Sequence, residues 1–91
     1  MPERILIVDD DTLMCRLLHM ALTREGYESH EVYSGPAALE YLDAHDVDLI
    51  LLDIMMSDVN GFEVIRRLKK DGRHADIPII CLLYTSDAAD E

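Results

Sequence analysis

The sequence predicts one α/β domain built on a doubly wound parallel sheet, and three observations lead to that prediction. Apolar runs without polar alternation occur at residues 5–8, 49–52 and 77–83, which is typical of strands buried on both faces of a sheet. Segments with helical apolar spacing separate these runs. The length of 91 residues suits a single small domain. Strands and helices that alternate in this way form parallel sheets with helices on both faces.

The first strand and the first helix have clear limits. Residues 4–8 form the strand, and Asp11 or Thr12 can cap the helix that follows. The helix is expected to run to about Glu25, since Gly26 is a typical stop. Apolar residues at helical spacing predict its buried stripe: Leu13, Leu17, Met20 and Ala21. Met14, Leu18 and Leu22 widen this stripe.

The second strand is predicted at residues 27–32 and the second helix directly after it. Glu28 and Glu31 make this strand polar, which suits the edge of a sheet. Ser34 precedes the helix and Pro36 lies in its first turn, where the missing N–H of proline costs nothing. The predicted buried face of this helix contains Ala38, Leu39 and Leu42.

The second half of the chain repeats the pattern. The third strand, Leu49–Asp53, ends on a carboxylate, and Gly61 opens the third helix after an intervening loop. Basic residues end that helix, which is favourable near a helix C-terminus. The fourth strand spans residues 77–83, with Pro78 tolerated near its start.

Three carboxylates are expected to meet at one edge of the sheet. A flavodoxin-like strand order of 2-1-3-4-5 puts strand 1 beside strand 3, and the chain supplies four of the five strands. Neighbouring strands lie about 4.8 Å apart, so Asp9, Asp10 and Asp53 converge. Such a cluster needs a proton or a cation, and oxygen ligands suit Mg²⁺. A carboxylate beside that ion can attack phosphorus. Asp11 is interpreted as a helix cap, and Asp58 as a solvated loop acid.

Composition and charge exclude several classes of partner. The net charge of −11 disfavours binding to nucleic acid or an anionic membrane. No apolar run approaches the roughly 20 residues of a membrane span, and the N-terminus lacks the pattern of a secretory signal. The two cysteines, Cys15 and Cys81, lack CxxC spacing, so a reduced cytoplasmic setting is expected. The four histidines are scattered and are interpreted as ordinary surface residues.

These motifs resemble a two-component response regulator receiver domain. Four segments carry the resemblance: residues 5–11 (ILIVDDD), 33–39 (YSGPAAL), 48–69 (DLILLDIMMSDVNGFEVIRRLK) and 77–80 (IPII). The resemblance implies that Asp53 accepts phosphate from a histidine kinase or phosphotransfer protein. It implies that Asp10 binds Mg²⁺ directly, Asp9 directly or through water, and Met55 through its main-chain carbonyl. It also implies a phosphorelay protein rather than an enzyme. Self-catalysed phosphoryl transfer is expected only in the complete domain.

The chain departs from the receiver pattern at three places. Ser57 follows Met56 where the family usually has proline, and Leu83 stands where strand 4 should end in a hydroxyl residue. The family's lysine of strand 5 is missing, since no lysine follows Lys70. Residues 81–91 resemble a translated sequencing adapter. We therefore expect residues 1–80 to be a partial receiver domain and residues 81–91 a non-native tail.

Two other functions are compatible with the residues. A phosphohydrolase of the haloacid-dehalogenase type also ends its first strand with DxDx[TV] and would use Asp9 as nucleophile, although Leu13 stands where that motif needs Thr or Val. A pseudo-receiver would be a binding module that never takes phosphate, which Leu83 would favour if it were native.

Overall fold

The computed structural model describes residues 3–53, 61–72 and 74–82. Seven elements alternate in the predicted order: β1 (Arg4–Val8), α1 (Thr12–Arg24), β2 (Glu28–Val32), α2 (Gly35–Ala44), β3 (Leu49–Asp53), α3 (Gly61–Lys70) and β4 (Ile79–Leu82). Strands β2 and β4 begin later than predicted because the amides of Tyr27 and Ile77 close the preceding turns, on Leu22 O and His74 O. None of the described helices has the length and apolar character needed to cross a membrane.

The four strands form one parallel sheet in the order β2-β1-β3-β4. This order confirms the α/β fold and the predicted placement of β1 beside β3. Val8, the last residue of β1, pairs with Val32 of β2 on one side and Leu52 of β3 on the other. The residues that follow Val8 and Leu52 are Asp9 and Asp53, so the register brings these two acids to adjacent positions.

Side chains at the helix ends bond as the sequence predicts. The Asp11 carboxylate accepts hydrogen bonds from the amides of Leu13 at 3.0 Å and Met14 at 3.2 Å, which makes Asp11 the cap of α1. The hydroxyl of Ser34 accepts from Ala37 N at 3.2 Å and caps α2. Gly26 has a φ of 93°, a left-handed conformation that glycine adopts without steric cost. The predicted stop of α1 is therefore confirmed.

One face of the sheet packs against α2 and α3. Among the described residues, the buried apolar side chains of this face come from both helices, from the even-numbered positions of β1 and β3, from the end of β2 and from the connection before β3: Leu6, Val8, Val32, Ala38, Leu42, Val47, Ile50, Leu52, Val64 and Leu68. Leu39 of α2 is partly buried against this cluster. The predicted inward face of α2 is therefore confirmed. We call this surface the α2/α3 face.

The opposite surface, the α1 face, is thinner. Within the described ranges its buried apolar residues are Ile5, Ile7, Cys15 and Leu51. Leu18 and Leu22 pack against them, so the inward positions of α1 recur at i, i+3 and i+7 from Cys15.

The predicted centre of the buried stripe of α1 is wrong, although Leu18 and Leu22, which were predicted to widen the stripe, do pack inward. Leu13, Leu17 and Met20 are 67%, 51% and 56% exposed, and Ala21 is exposed as well. The helix carries apolar residues on two sides, so spacing alone could not show which side meets the sheet. The side that contains the small Cys15, together with Leu18 and Leu22, packs against β1 and β3, and the predicted centre of the stripe lies on the other side.

The interpretation of all four histidines as surface residues is wrong for His74. His74 is 3% exposed, and its Nε2 lies 2.9 Å from the carbonyl oxygen of Leu42 in α2. Its Nδ1 lies 3.0 Å from an Asp71 carboxylate oxygen. His74 therefore ties the connection between α3 and β4 to α2, a role that its sequence position did not reveal.

Candidate metal centre

The three predicted acids come together at the carboxyl ends of β1 and β3. Asp9 follows the last residue of β1, Asp10 comes next, and Asp53 is the last residue of β3. Each contributes a carboxylate oxygen, and these three atoms lie within 4.8 Å of one another. Their proximity follows from the strand register, which sets Val8 beside Leu52.

Two of the three acids are withdrawn from solvent. Asp9 is 0% exposed and Asp53 is 5% exposed, whereas Asp10 is exposed. Successive side chains of a strand point to opposite faces. Asp9 therefore continues the row of Ile5 and Ile7, and Asp53 continues the row of Leu49 and Leu51. Buried carboxylates this close together are stable only with a proton, hydrogen-bond donors or a cation.

Asp9 is fixed through its main chain as well as its carboxylate. Its N–H donates to the carbonyl of Val32 in β2 at 3.1 Å, and its Oδ1 accepts from the amide of Asp11 at 2.9 Å. Its own carbonyl accepts from the thiol of Cys15 at 3.2 Å. Asp9 is thereby bonded to β2, to the cap of α1 and to the first turn of α1.

Cys15 is a neighbour of the site that sequence reasoning missed. It is fully buried, and burial raises the pKa of its thiol to about 12, with a further contribution from the negative charge of Asp9. The protonated thiol is therefore the stable form, and it can donate a hydrogen bond. One signal in the sequence could have indicated this contact. Cys15 lies six residues after Asp9, in the first turn of the following helix, and that turn lies close to the end of the strand.

The donor set fits a hard divalent cation. All three converging groups are carboxylate oxygens, and the exposed Asp10 leaves one side open to solvent. Mg²⁺ prefers oxygen ligands and keeps several waters, so a partly open set of acids is suitable. Met55, the predicted carbonyl ligand, lies outside the described residues, as do Ser57, Asp58 and Leu83.

A large cavity lies elsewhere. It measures about 490 Å³, it is lined by Arg4, Tyr27, Glu28 and their neighbours at the outer edge of β2, and it contains none of the three acids. Cavity volume alone would place the functional site there. We place the site at the acids because chemically matched groups converge at that edge, and the carboxyl ends of strands are where open α/β sheets bind ligands.

Comparison with known proteins points to one family. The sequence profile of the response regulator receiver domain matches residues 5–91. The chain is 40% identical over 82 residues to response regulator GtcR of Aneurinibacillus migulanus, covering 90% of this chain and 33% of GtcR. It is 35% identical over 91 residues to polar-differentiation response regulator DivK of Brucella anthropi, covering 100% of this chain and 74% of DivK.

A solved structure agrees with the sequence comparisons. The N-terminal domain of a response regulator receiver protein from Methanoculleus marisnigri superimposes with a TM-score of 0.87 and 38% identity. The match covers 91% of this chain and 68% of that chain. The chain spans about a third of the length of GtcR. These similarities therefore concern the receiver part of longer signalling proteins.

Proposed function

The chain belongs to the response regulator receiver domain family, and from this membership we propose that it accepts a phosphoryl group on Asp53. The observation that carries the proposal is the convergence of Asp9, Asp10 and Asp53 within 4.8 Å. Asp53 is the member of this set that ends a central strand. That position lets a carboxylate oxygen face a partner at the edge of the sheet.

The reaction moves one phosphoryl group between two side chains. A carboxylate oxygen of Asp53 attacks phosphorus and forms an acyl O–P bond, while the P–N bond of a phosphohistidine breaks and the imidazole leaves with a proton. The donor is a histidine kinase or a phosphotransfer protein. The negative charge of this chain, −11 in total, suits a partner with a basic docking surface.

The acidic cluster would supply ligands for Mg²⁺. Asp10 would bind the ion directly, Asp9 directly or through water, and Asp53 and the main-chain carbonyl of Met55 would complete the protein's share. The ion, when bound, neutralises charge on the phosphoryl oxygens. Asp9 and Asp10 hold the cation beside Asp53 and are not phosphorylated themselves.

The same proposal sets the wider context. The chain acts as a phosphorylated switch and not as an enzyme on other substrates, and it works in the cytoplasm, where Cys15 stays reduced. It binds neither nucleic acid nor membrane by itself, because its net charge is strongly negative. The comparisons favour this function over a haloacid-dehalogenase-type phosphohydrolase and over a pseudo-receiver.

A small phosphodonor tests the proposal. The receiver domain, as its source gene encodes it, is incubated with Mg²⁺ and acetyl phosphate, and intact mass spectrometry follows a hydroxylamine-labile adduct. We expect the adduct in the parent and in Asp11→Asn, a matched acid of the same loop that serves as a helix cap. We expect none in Asp53→Asn. An adduct that survives Asp53→Asn but disappears in Asp9→Asn would support the phosphohydrolase alternative instead.

A further inference from the structure

We infer that Cys15 is a positioning residue whose thiol orients the peptide between Asp9 and Asp10. This inference rests on the proposed function, because orientation matters only if the two acids serve a common site. The thiol donates to the carbonyl oxygen of Asp9 at 3.2 Å. A peptide unit is planar, so fixing that carbonyl also fixes the amide nitrogen of Asp10 and restricts the direction of its side chain.

The surroundings of Asp9 make this hydrogen bond consequential. Asp9 is fully buried, and a buried carbonyl that loses its partner pays a desolvation cost. Two other polar groups of Asp9 point along the sheet and towards the cap, since its N–H donates to Val32 O at 3.1 Å and its Oδ1 accepts from Asp11 N at 2.9 Å. The thiol is the contact that joins the carbonyl of Asp9 to α1.

The helix gives the thiol a fixed place. Cys15 N donates to Asp11 O at 3.0 Å, in the turn that Asp11 also caps through its side chain. The strand end, the cap and the first turn of α1 therefore form one hydrogen-bonded unit around Asp9. Outer-shell partners of this kind orient metal ligands, and their loss typically lowers metal affinity by about 10- to 100-fold. A thiol is a weak donor, so we expect a loss near the lower end of that range.

Paired variants separate the hydrogen bond from the packing. Cys15→Val removes the donor and adds volume, Cys15→Ala removes the donor and reduces volume, and Cys15→Ser keeps a donor. Ile5→Val, at the far end of β1 in the same buried cluster, controls for general loosening of the α1 face. Mg²⁺ affinity of the 91-residue chain is measured by titration calorimetry, and amide exchange of Asp11 is measured without metal.

We expect Cys15→Val and Cys15→Ala to weaken Mg²⁺ binding by about tenfold and to speed exchange of the Asp11 amide. Cys15→Ser and Ile5→Val should resemble the parent in both measurements. Parent-like affinity and exchange in Cys15→Val would overturn the inference, as would equal losses in Cys15→Ser and Cys15→Val. If the parent binds no Mg²⁺, the proposed metal site fails, and the exchange of Asp11 in the metal-free chain decides the positioning role alone.

Discussion

The two faces of the sheet differ in how much they bury and in what they carry. Among the described residues, the α2/α3 face holds ten buried apolar side chains, from two helices, three strands and the connection before β3. The α1 face holds four in the same described ranges. The rows that end in Asp9 and Asp53 belong to this thinner face. The comparison teaches that the fold draws most of its apolar stability from one face, while the acids are positioned from the other.

Truncation of one leucine on each face tests this division most strongly. Leu42, fully buried on the α2/α3 face, should lose about 3 kcal/mol of unfolding free energy as Leu42→Ala, since complete burial leaves a cavity. Leu22, partly buried on the α1 face, should lose clearly less as Leu22→Ala. Urea denaturation measures both. A larger loss for Leu22→Ala would contradict the division between the faces.

Cation binding should stabilise the end of the sheet where the acids meet. With free Mg²⁺ at about 100 times its Kd, binding to the folded state alone adds about 2.7 kcal/mol to the free energy of unfolding. Thermal unfolding with and without Mg²⁺ measures the gain. Asp10→Ala should lose most of it, whereas Asp76→Ala, an exposed acid outside the cluster, should keep it. Equal gains in the two variants would speak against a metal centre at Asp10.

The orientation of α1 can be tested with two adjacent leucines. Leu18→Gln places an amide among the apolar residues of the α1 face and should cost about 1–3 kcal/mol. Leu17→Gln lies on the exposed side, where Leu17 is 51% exposed, and should change stability by less than about 0.5 kcal/mol. Equal costs in denaturant unfolding would mean that the helix is rotated from its described position.

Much of the fold was predictable from the sequence, and the exceptions have physical causes. Apolar runs fixed the strands because buried parallel strands lack alternation, and the caps Asp11 and Ser34 were read from residue type. The face of α1 was not predictable, because both sides of that helix are apolar and only contact with β1 selects one. The same contact places Cys15 against Asp9. The converging acids were predictable because their positions depend only on strand order and register.

Alkaline pH should weaken the α1 face through Cys15. The thiol has a pKa of 9.0 when unfolded and about 12 when folded, so folding favours the protonated form. That contribution is complete below pH 9 and is lost as pH rises towards 12. The stability of the parent should therefore fall more steeply over this range than that of Cys15→Val, which lacks the buried thiol. Parallel pH profiles of the parent and Cys15→Val in urea unfolding would contradict this prediction, because they would show that the thiol has the same pKa in the folded and unfolded states.

Identification of the phosphorylated residue tests the central claim most directly. The receiver domain is treated with acetyl phosphate and Mg²⁺, and borohydride then reduces any aspartyl phosphate to homoserine, which peptide mass spectrometry can place in the sequence. We predict homoserine at position 53 and unmodified aspartate at positions 9 and 10, with no homoserine when a chelator removes Mg²⁺. Homoserine at position 9, or at position 53 regardless of Mg²⁺, would contradict the assignment of Asp53 as acceptor and of its neighbours as the metal centre.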